Sequence, residues 1–159
     1  MQVTLDGYVA GKNDEADWLL TGDDEWQDLF KDLESVDTYL LGRGMYNVYA
    51  DYWMSALNDP SAPADNVKFA RIAEKTQHIV FTRGDFKPKW KNTRVAHDAA
   101  QEIAKLKKQD GQNIMVWGGA NFASELINQG LIDEYRFALN PTFLTEGKSL
   151  FQNVKKRNT

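Results

Sequence analysis

The sequence predicts an α/β domain on a largely parallel sheet with helices over both faces, and three observations carry that reading. Short apolar runs such as Thr38-Tyr39-Leu40-Leu41 and His78-Ile79-Val80-Phe81-Thr82 alternate with segments whose apolar residues recur at three- and four-residue steps. The runs are apolar throughout, as strands buried on both faces are. Glycine or proline marks most junctions between the two kinds of segment, the punctuation of repeated strand–helix units.

Taken in order, Val3-Thr4-Leu5 running into Asp6-Gly7 reads as the tail of a strand and suggests a trimmed start. Trp26, Leu29, Phe30, Leu33 and Val36 share one helix face, opened by Thr21 and Asp24 as an acidic variant of the capping box. Thr38 to Leu41 is a buried strand bounded by Gly42, and Met45 to Trp53 is helical until Pro60 and Pro63 break the pattern. A short helix from Val67 to Glu74 leads to the strand at His78–Thr82, and Thr93–Ala96 makes another. Asp98 caps a helix from Ala99 to Lys108 that Gly111 ends. Ile114–Trp117 is a strand, Gly118-Gly119 a turn, and Phe122, Leu126 and Ile127 mark a helix closed by Gly130. Leu131-Ile132 and Tyr135 to Leu139 continue as a strand.

At 159 residues and 42% hydrophobic, the chain can bury a core without staples, so one domain spanning 1–159 is expected. The absence of Cys excludes a disulfide framework, a Cys-ligated metal and thiol catalysis, and suits the cytoplasm. A net charge of −4 argues against nucleic acid as partner. No stretch approaches the roughly 18 apolar residues of a membrane span, and no signal-peptide pattern opens the chain. His78 and His97 lack ligand-like spacing, so no metal is expected.

In open α/β sheets, ligands bind beyond the carboxyl ends of the strands. Three such ends carry Gly42-Arg43-Gly44, Thr82-Arg83 and Gly118-Gly119-Ala120-Asn121. Glycine lets backbone approach a ligand, helix N–H groups attract anions, and guanidinium forks match phosphate oxygens. Together they describe a phosphate-bearing cofactor, although each alone is also an ordinary turn. Gly42 to Asn47 falls short of the Rossmann fingerprint, because Asn ends it and no acid closes a strand about 20 residues on. Gly147-Lys148-Ser149 imitates a P-loop end without its leading glycine or its strand–loop–helix frame.

Five motifs in register add a resemblance: Leu5-Asp6-Gly7-Tyr8-Val9-Ala10, Leu41-Gly42-Arg43-Gly44-Met45-Tyr46, Trp117-Gly118-Gly119-Ala120, Gly130-Leu131-Ile132-Asp133-Glu134, and Asn140-Pro141 before Gly147 and Leu150-Phe151. Over essentially its whole length the chain resembles the dihydrofolate reductase-like superfamily, closest to the reductase domain of bacterial riboflavin biosynthesis. The resemblance implies a three-layer α/β sandwich with a mostly parallel central sheet and an antiparallel C-terminal hairpin. It implies NADPH as cofactor, with Arg43 and Arg83 on the adenosine-side phosphates including the 2′-phosphate. Gly118, Gly119, Ala120 and Asn121 would seat the pyrophosphate, Val9 and Ala10 would flank the nicotinamide, and Gly42 and Thr82 would complete the site. Met45 stands where dihydrofolate reductases carry Thr, and Ala120 replaces their third glycine, which points to looser or differently posed cofactor binding. The family's final hairpin extends past Phe151, so an altered last strand would leave an edge for a partner chain.

The activity so implied is hydride transfer to a pyrimidine- or pterin-type heterocycle. A 5-amino-6-(5-phosphoribosylamino)uracil is the first choice of substrate and dihydrofolate the second. Asp6 and Asp23 are the candidate acids, Asp23 through its spacing from Trp18 with Asp24 as its rival, and a proton donor works best with a raised pKa in a dry pocket. The alternative is a non-catalytic nucleotide-binding protein that retains the fold. Five Trp, six Tyr and eight Phe exceed the needs of one small core and predict a homodimer.

Overall fold

In the computed structural model, which describes residues 1–20, 22–152 and 154, the two apolar runs become adjacent parallel strands. The elements in chain order are β1 (Gln2–Thr4), β2 (Tyr8–Ala10), α1 (Asp23–Leu33), β3 (Val36–Gly42), α2 (Arg43–Asn58), α3 (Ala64–Lys75), β4 (Gln77–Phe81), β5 (Thr93–Ala96), α4 (Ala99–Leu106), β6 (Asn113–Gly118), α5 (Ala120–Asn128), β7 (Ala138–Asn140) and β8 (Lys148–Ser149). This is the expected α/β class, with mostly parallel pairing, five helices among the described residues and one small antiparallel pair. The chain divides into two compact units, Met1–Thr21 with Gly118–Thr159 and Gly22–Trp117.

The unit Gly22–Trp117 holds a four-stranded sheet in the order β5-β4-β3-β6. Thr38 to Leu41 and His78 to Phe81 are buried without alternation, which is why these strands sit at its centre. Beside them Tyr39, Tyr49, Trp53, Phe69, Trp90 and Trp117 form an aromatic core, with Phe69 stacked on Trp117 at 4.8 Å. Ten of the nineteen aromatics join this cluster, whereas Tyr52, Tyr135, Phe137, Phe143 and Phe151 are exposed. Val36 starts β3 instead of ending the α1 face, because the Asn113 N–H holds the Ser35 carbonyl at 2.8 Å and draws the chain into the sheet.

Helix starts differ from the sequence reading in detail. The cap read on Thr21 lies outside the described residues. Gly22 is the cap of α1, and Glu25, not Asp24, reaches back to the Gly22 N–H at 2.8 Å. Helix α2 begins directly at Arg43 and runs to Asn58, ahead of the two prolines. Asp98 caps α4 as expected, accepting from the Gln101 N–H at 2.9 Å. That helix ends at Leu106, well before Gly111, because the chain tightens into turns from Lys108 to Lys105 and from Gln109 to Leu106. Gly111 instead lies against the Asp37 carboxylate, which accepts from the Gln112 N–H.

The unit formed by Met1–Thr21 and Gly118–Thr159 pairs β1 with β7 in parallel and β2 with β8 antiparallel. Gly130 closes α5 at φ +65, with the Leu131 N–H on the Leu126 carbonyl, as the C-terminal glycine motif requires. The strand read across Leu131-Ile132 and Tyr135–Leu139 shrinks to Ala138–Asn140, since β1 begins at Gln2 and supplies a ladder only that long. Gly147 is required by close approach, because a Cβ there would lie 2.3 Å from the Ala10 carbonyl oxygen. No described helix is long and apolar enough to cross a membrane.

Candidate cofactor and active site

Because β3, β4 and β5 are mutually parallel neighbours, their carboxyl ends share one sheet edge. Gly42 pairs in register with Phe81, so Arg43 and Thr82-Arg83 leave that edge side by side on strands about 4.8 Å apart. The Arg43 guanidinium rests over the Phe86 ring at 5.6 Å from its centroid. Phe86 is held edge-on by Tyr46, whose hydroxyl also accepts from the Lys89 and Trp90 N–H groups. Thus α2 both presents Arg43 and pins the connection on which it lies. Arg83 is exposed, and neither arginine has a carboxylate partner among the described residues.

Thr82 is buried, and its hydroxyl is engaged with the Gly84 backbone at 3.3 Å. Its carbonyl accepts from Nδ1 of His97, at the end of β5, at 2.7 Å. His97 is therefore the third side chain at this edge, and its value was not legible from spacing alone.

The first turns of the helices sort by charge. Acids occupy the first turns of α1, α3 and α4, where they complement the helix dipole. None occupies the first turn of α2 or α5, the helices that follow the Gly42 and Gly118-Gly119 junctions. Gly118 has φ +151 and Gly119 φ +80, so two successive residues take conformations natural only to glycine. The Ala123 N–H is bonded to the Gly119 carbonyl, the first bond inside α5. The Asn121 side chain meets Gln152 at 2.6 Å. Within the unit Gly22–Trp117, the uncomplemented dipole of α2 beside two guanidinium forks without carboxylate partners suits a phosphate group. Met45 is exposed in the first turn of α2 and brings no hydroxyl to it.

In the first unit, Val9 and Ala10 lie half-buried on β2. Asp6 sits in the turn made by Gly7 at φ +83 and accepts from the Thr4 hydroxyl at 2.6 Å, the Leu144 N–H at 3.1 Å and the Thr145 N–H at 2.9 Å. The Thr4 hydroxyl bond is the largest influence and lowers its carboxyl pKa, desolvation comes next and opposes it, and the Thr145 and Leu144 N–H bonds add to the lowering, so the carboxyl lies below its ordinary value. The raised pKa expected of a proton donor is not found at Asp6, because every donor around it favours the charged form. Asp23 opens α1 in the second unit, exposed beside Asp24 and Glu25, where all three complement the dipole. Trp18 is buried in the first unit with its indole N–H on the Glu15 carbonyl.

A shallow groove along α3, lined by Ala64, Val67, Lys68, Arg71, Ile72 and Lys75, contains none of these residues. No group of three or more metal-ligating side chains occurs among the described residues.

The RibD C-terminal domain family matches the chain over residues 1–159. The uncharacterized protein YyaP of Bacillus subtilis (strain 168) is 34% identical over 157 residues, covering 99% of this chain and 80% of its own length. The uncharacterized protein YwjB of the same organism is 28% identical over 153 residues, covering 96% and 80%. The riboflavin biosynthesis protein RibD of Corynebacterium ammoniagenes is 25% identical, covering 92% of this chain and 43% of its own length. A crystal structure of a protein from Shewanella sp. PV-4 named for riboflavin biosynthesis superposes with a TM-score of 0.72 at 19% identity, covering 99% of this chain and 83% of that one, which establishes the shared fold.

Proposed function

The chain belongs to the RibD C-terminal domain family, and from that premise we propose that it is an NADPH-dependent reductase acting on a pyrimidine- or pterin-type heterocycle. The observation that carries this reading is the parallel sheet edge where Arg43 and Arg83 stand without carboxylate partners among the described residues, next to a helix start without acids. Two forks converging on a dianion favour a 2′-phosphorylated nucleotide over its unphosphorylated counterpart. Gly118 and Gly119 have the backbone freedom that a pyrophosphate needs, with Ala120 and Asn121 opening the helix next to them. Val9 and Ala10 offer a half-buried strand surface suited to a flat nicotinamide ring.

When bound, the cofactor supplies a hydride, and the protein supplies orientation and a proton route. Asp6 enters as a carboxylate that fixes the Leu144–Thr145 backbone and orients a water, and that water is the source of the proton. Asp23 is the second acid. The substrate ranked first is 5-amino-6-(5-phosphoribosylamino)uracil, and dihydrofolate is second. The protein would work as a homodimer in the cytoplasm.

A second reading, nucleotide binding without turnover, draws on Asp6 being held ionised and on Met45 in place of a hydroxyl. Titration of tryptophan fluorescence with NADPH and NADH, followed by NADPH oxidation assays with both substrates, separates the two. The reductase reading expects tighter NADPH binding, lost in Arg43→Ala/Arg83→Ala, and oxidation with one substrate. Binding without oxidation of any substrate favours the second reading, and no binding of either nucleotide overturns both.

A further inference from the structure

We propose that β7 and the chain just before it, residues 135–140, form the contact between two copies of this chain, paired antiparallel across a two-fold axis at Phe137. The proposal rests on the homodimer reading and not on the reductase chemistry. Three observations carry it. First, β7 has β1 as its only strand neighbour among the described residues. The Arg136 carbonyl accepts from the Met1 amine at 2.7 Å, and the Ala138 N–H reaches the Met1 carbonyl at 3.1 Å, so both residues turn their main chain toward β1. Main-chain groups alternate sides along an extended strand, so Phe137 and Leu139 turn theirs to the open edge.

Second, the same segment carries a row of exposed apolar side chains. Tyr135, Phe137 and Leu139 alternate along it and share one face, with Leu139 66% exposed. Tyr135 stacks on Phe137 at 6.0 Å, and Phe137 meets Phe151 edge-on at 5.9 Å, so rings continue the face beyond the strand. An exposed apolar patch of this kind marks an interaction surface. Third, the segment lacks the lysines, prolines and open charges that blunt sheet edges. Pro141 follows β7 without interrupting it, and Arg136 is closed on Glu134.

An open main-chain edge takes a strand, and the side chains say which one. About an axis at Phe137, antiparallel pairing sets Phe137 opposite itself, Tyr135 opposite Leu139 and Arg136 opposite Ala138. Apolar meets apolar along the whole exposed face, and no cation meets a cation. A two-fold contact demands this self-complementarity, because one patch serves both sides. An axis at Tyr135 would set Phe137 against Asp133, and an axis at Leu139 would set it against Pro141, which has no N–H to give. The pairing also gives Tyr135 and Phe137, which have strand composition but lie beyond the β1–β7 ladder, the opposite strand that β1 does not supply.

The test measures the mass of the chain in solution by light scattering over a dilution series. It uses wild type, Phe137→Lys, Phe137→Glu and, as a control at an exposed apolar position on α2, Val48→Lys. Wild type and Val48→Lys are expected at twice the mass of one chain. Each Phe137 variant sets like charges face to face at the axis and is expected at the mass of one chain, whereas an equal mixture of the two returns to twice that mass. Exchange at the Phe137 and Leu139 amides should be about tenfold slower in wild type than in either variant alone. Dimers in both Phe137 variants overturn the interface and leave the homodimer reading standing. Variants that stay single when mixed overturn the axis at Phe137, and so does a wild-type mass above two chains. A wild-type monomer overturns the homodimer reading as well, whether those amides exchange freely or are covered by other means. NADPH titration decides the reductase reading separately, and none of these masses bears on it.

Discussion

The Tyr49 hydroxyl meets Nε2 of His78 at 3.0 Å inside the aromatic core, where the imidazole is fully buried against Tyr39 and Trp90. Burial lowers the His78 pKa from its ordinary value to about 4, partly offset by a backbone bond from Thr76. The folded chain therefore keeps this ring neutral where the unfolded chain, with a pKa of about 6.5, binds a proton. The stability so contributed is fully present above pH 6.5, is lost as the pH falls from there, and is gone below the folded value near 4. The loss is expected to reach about 3 kcal/mol in total, or roughly 1.4 kcal/mol per pH unit. Urea midpoints at pH 7, 5.5 and 4.5 check this. His78→Gln should remove most of the slope in that window, and an unchanged slope would assign it to other groups.

Phe69 touches Trp26, Tyr49, Trp53 and Trp117 and has no exposed surface. Phe69→Ala is expected to cost about 3–5 kcal/mol, because the surrounding rings are too large to collapse into the space. Denaturant titration with intrinsic tryptophan fluorescence reports both the loss and the site.

Much of this core was legible because its strands are long, apolar and buried on both faces. Thr93–Ala96 forms a strand over the span read from its β-branched residues, and Asp98 caps the next helix through the bond its position implied. What failed depends on pairing and not on local preference. Tyr135 to Phe137 have good strand residues, yet no β1 residue stands opposite them, and only Ala138–Asn140 join the ladder. Val36 fits a helical period and a strand equally, and the Asn113–Ser35 bond decides. In the candidate site, glycine and arginine at strand ends could be read from the sequence. The placing of His97 beside Thr82 arises from two strands meeting in register, which one-dimensional spacing does not encode.

Gly119 caps α5 at φ +80, directly after Gly118 at φ +151. Gly119→Ala should cost about 1–2 kcal/mol through the left-handed backbone alone. On the reductase reading it should also weaken NADPH binding more than the same change at Gly44, where nothing lies within 4 Å of an added Cβ. Thermal melts and fluorescence titration of the two variants give both quantities, and equal losses of NADPH affinity would count against a pyrophosphate seat at this turn.

Phe86 carries the Arg43 guanidinium on its face and is itself held by Tyr46. Phe86→Ala leaves both arginines in place but frees Arg43 to sample other rotamers. The expected result is a NADPH affinity about three- to tenfold lower, from ordering cost and a lost cation–π contact, with NADH much less affected. Isothermal titration with the two nucleotides checks it, and equal weakening of both would mean that Phe86 supports the loop and not the fork.

Asp6 is tied by its carboxylate to Thr4, Leu144 and Thr145, so its charge is structural before it is chemical. The lowered pKa means that it aids folding above the ordinary carboxylate value and that this aid fades as the pH falls through the folded one. Near neutrality the group stays ionised, and a turnover profile there should show no limb that belongs to it. Asp6→Asn keeps the shape but replaces one acceptor oxygen with an amide that the Leu144 and Thr145 N–H groups cannot use. Amide hydrogen exchange should therefore quicken at Leu144 and Thr145, and turnover should fall more than NADPH affinity. Loss of an alkaline limb in the variant, with exchange at Leu144 and Thr145 unchanged, would restore Asp6 as a direct proton donor.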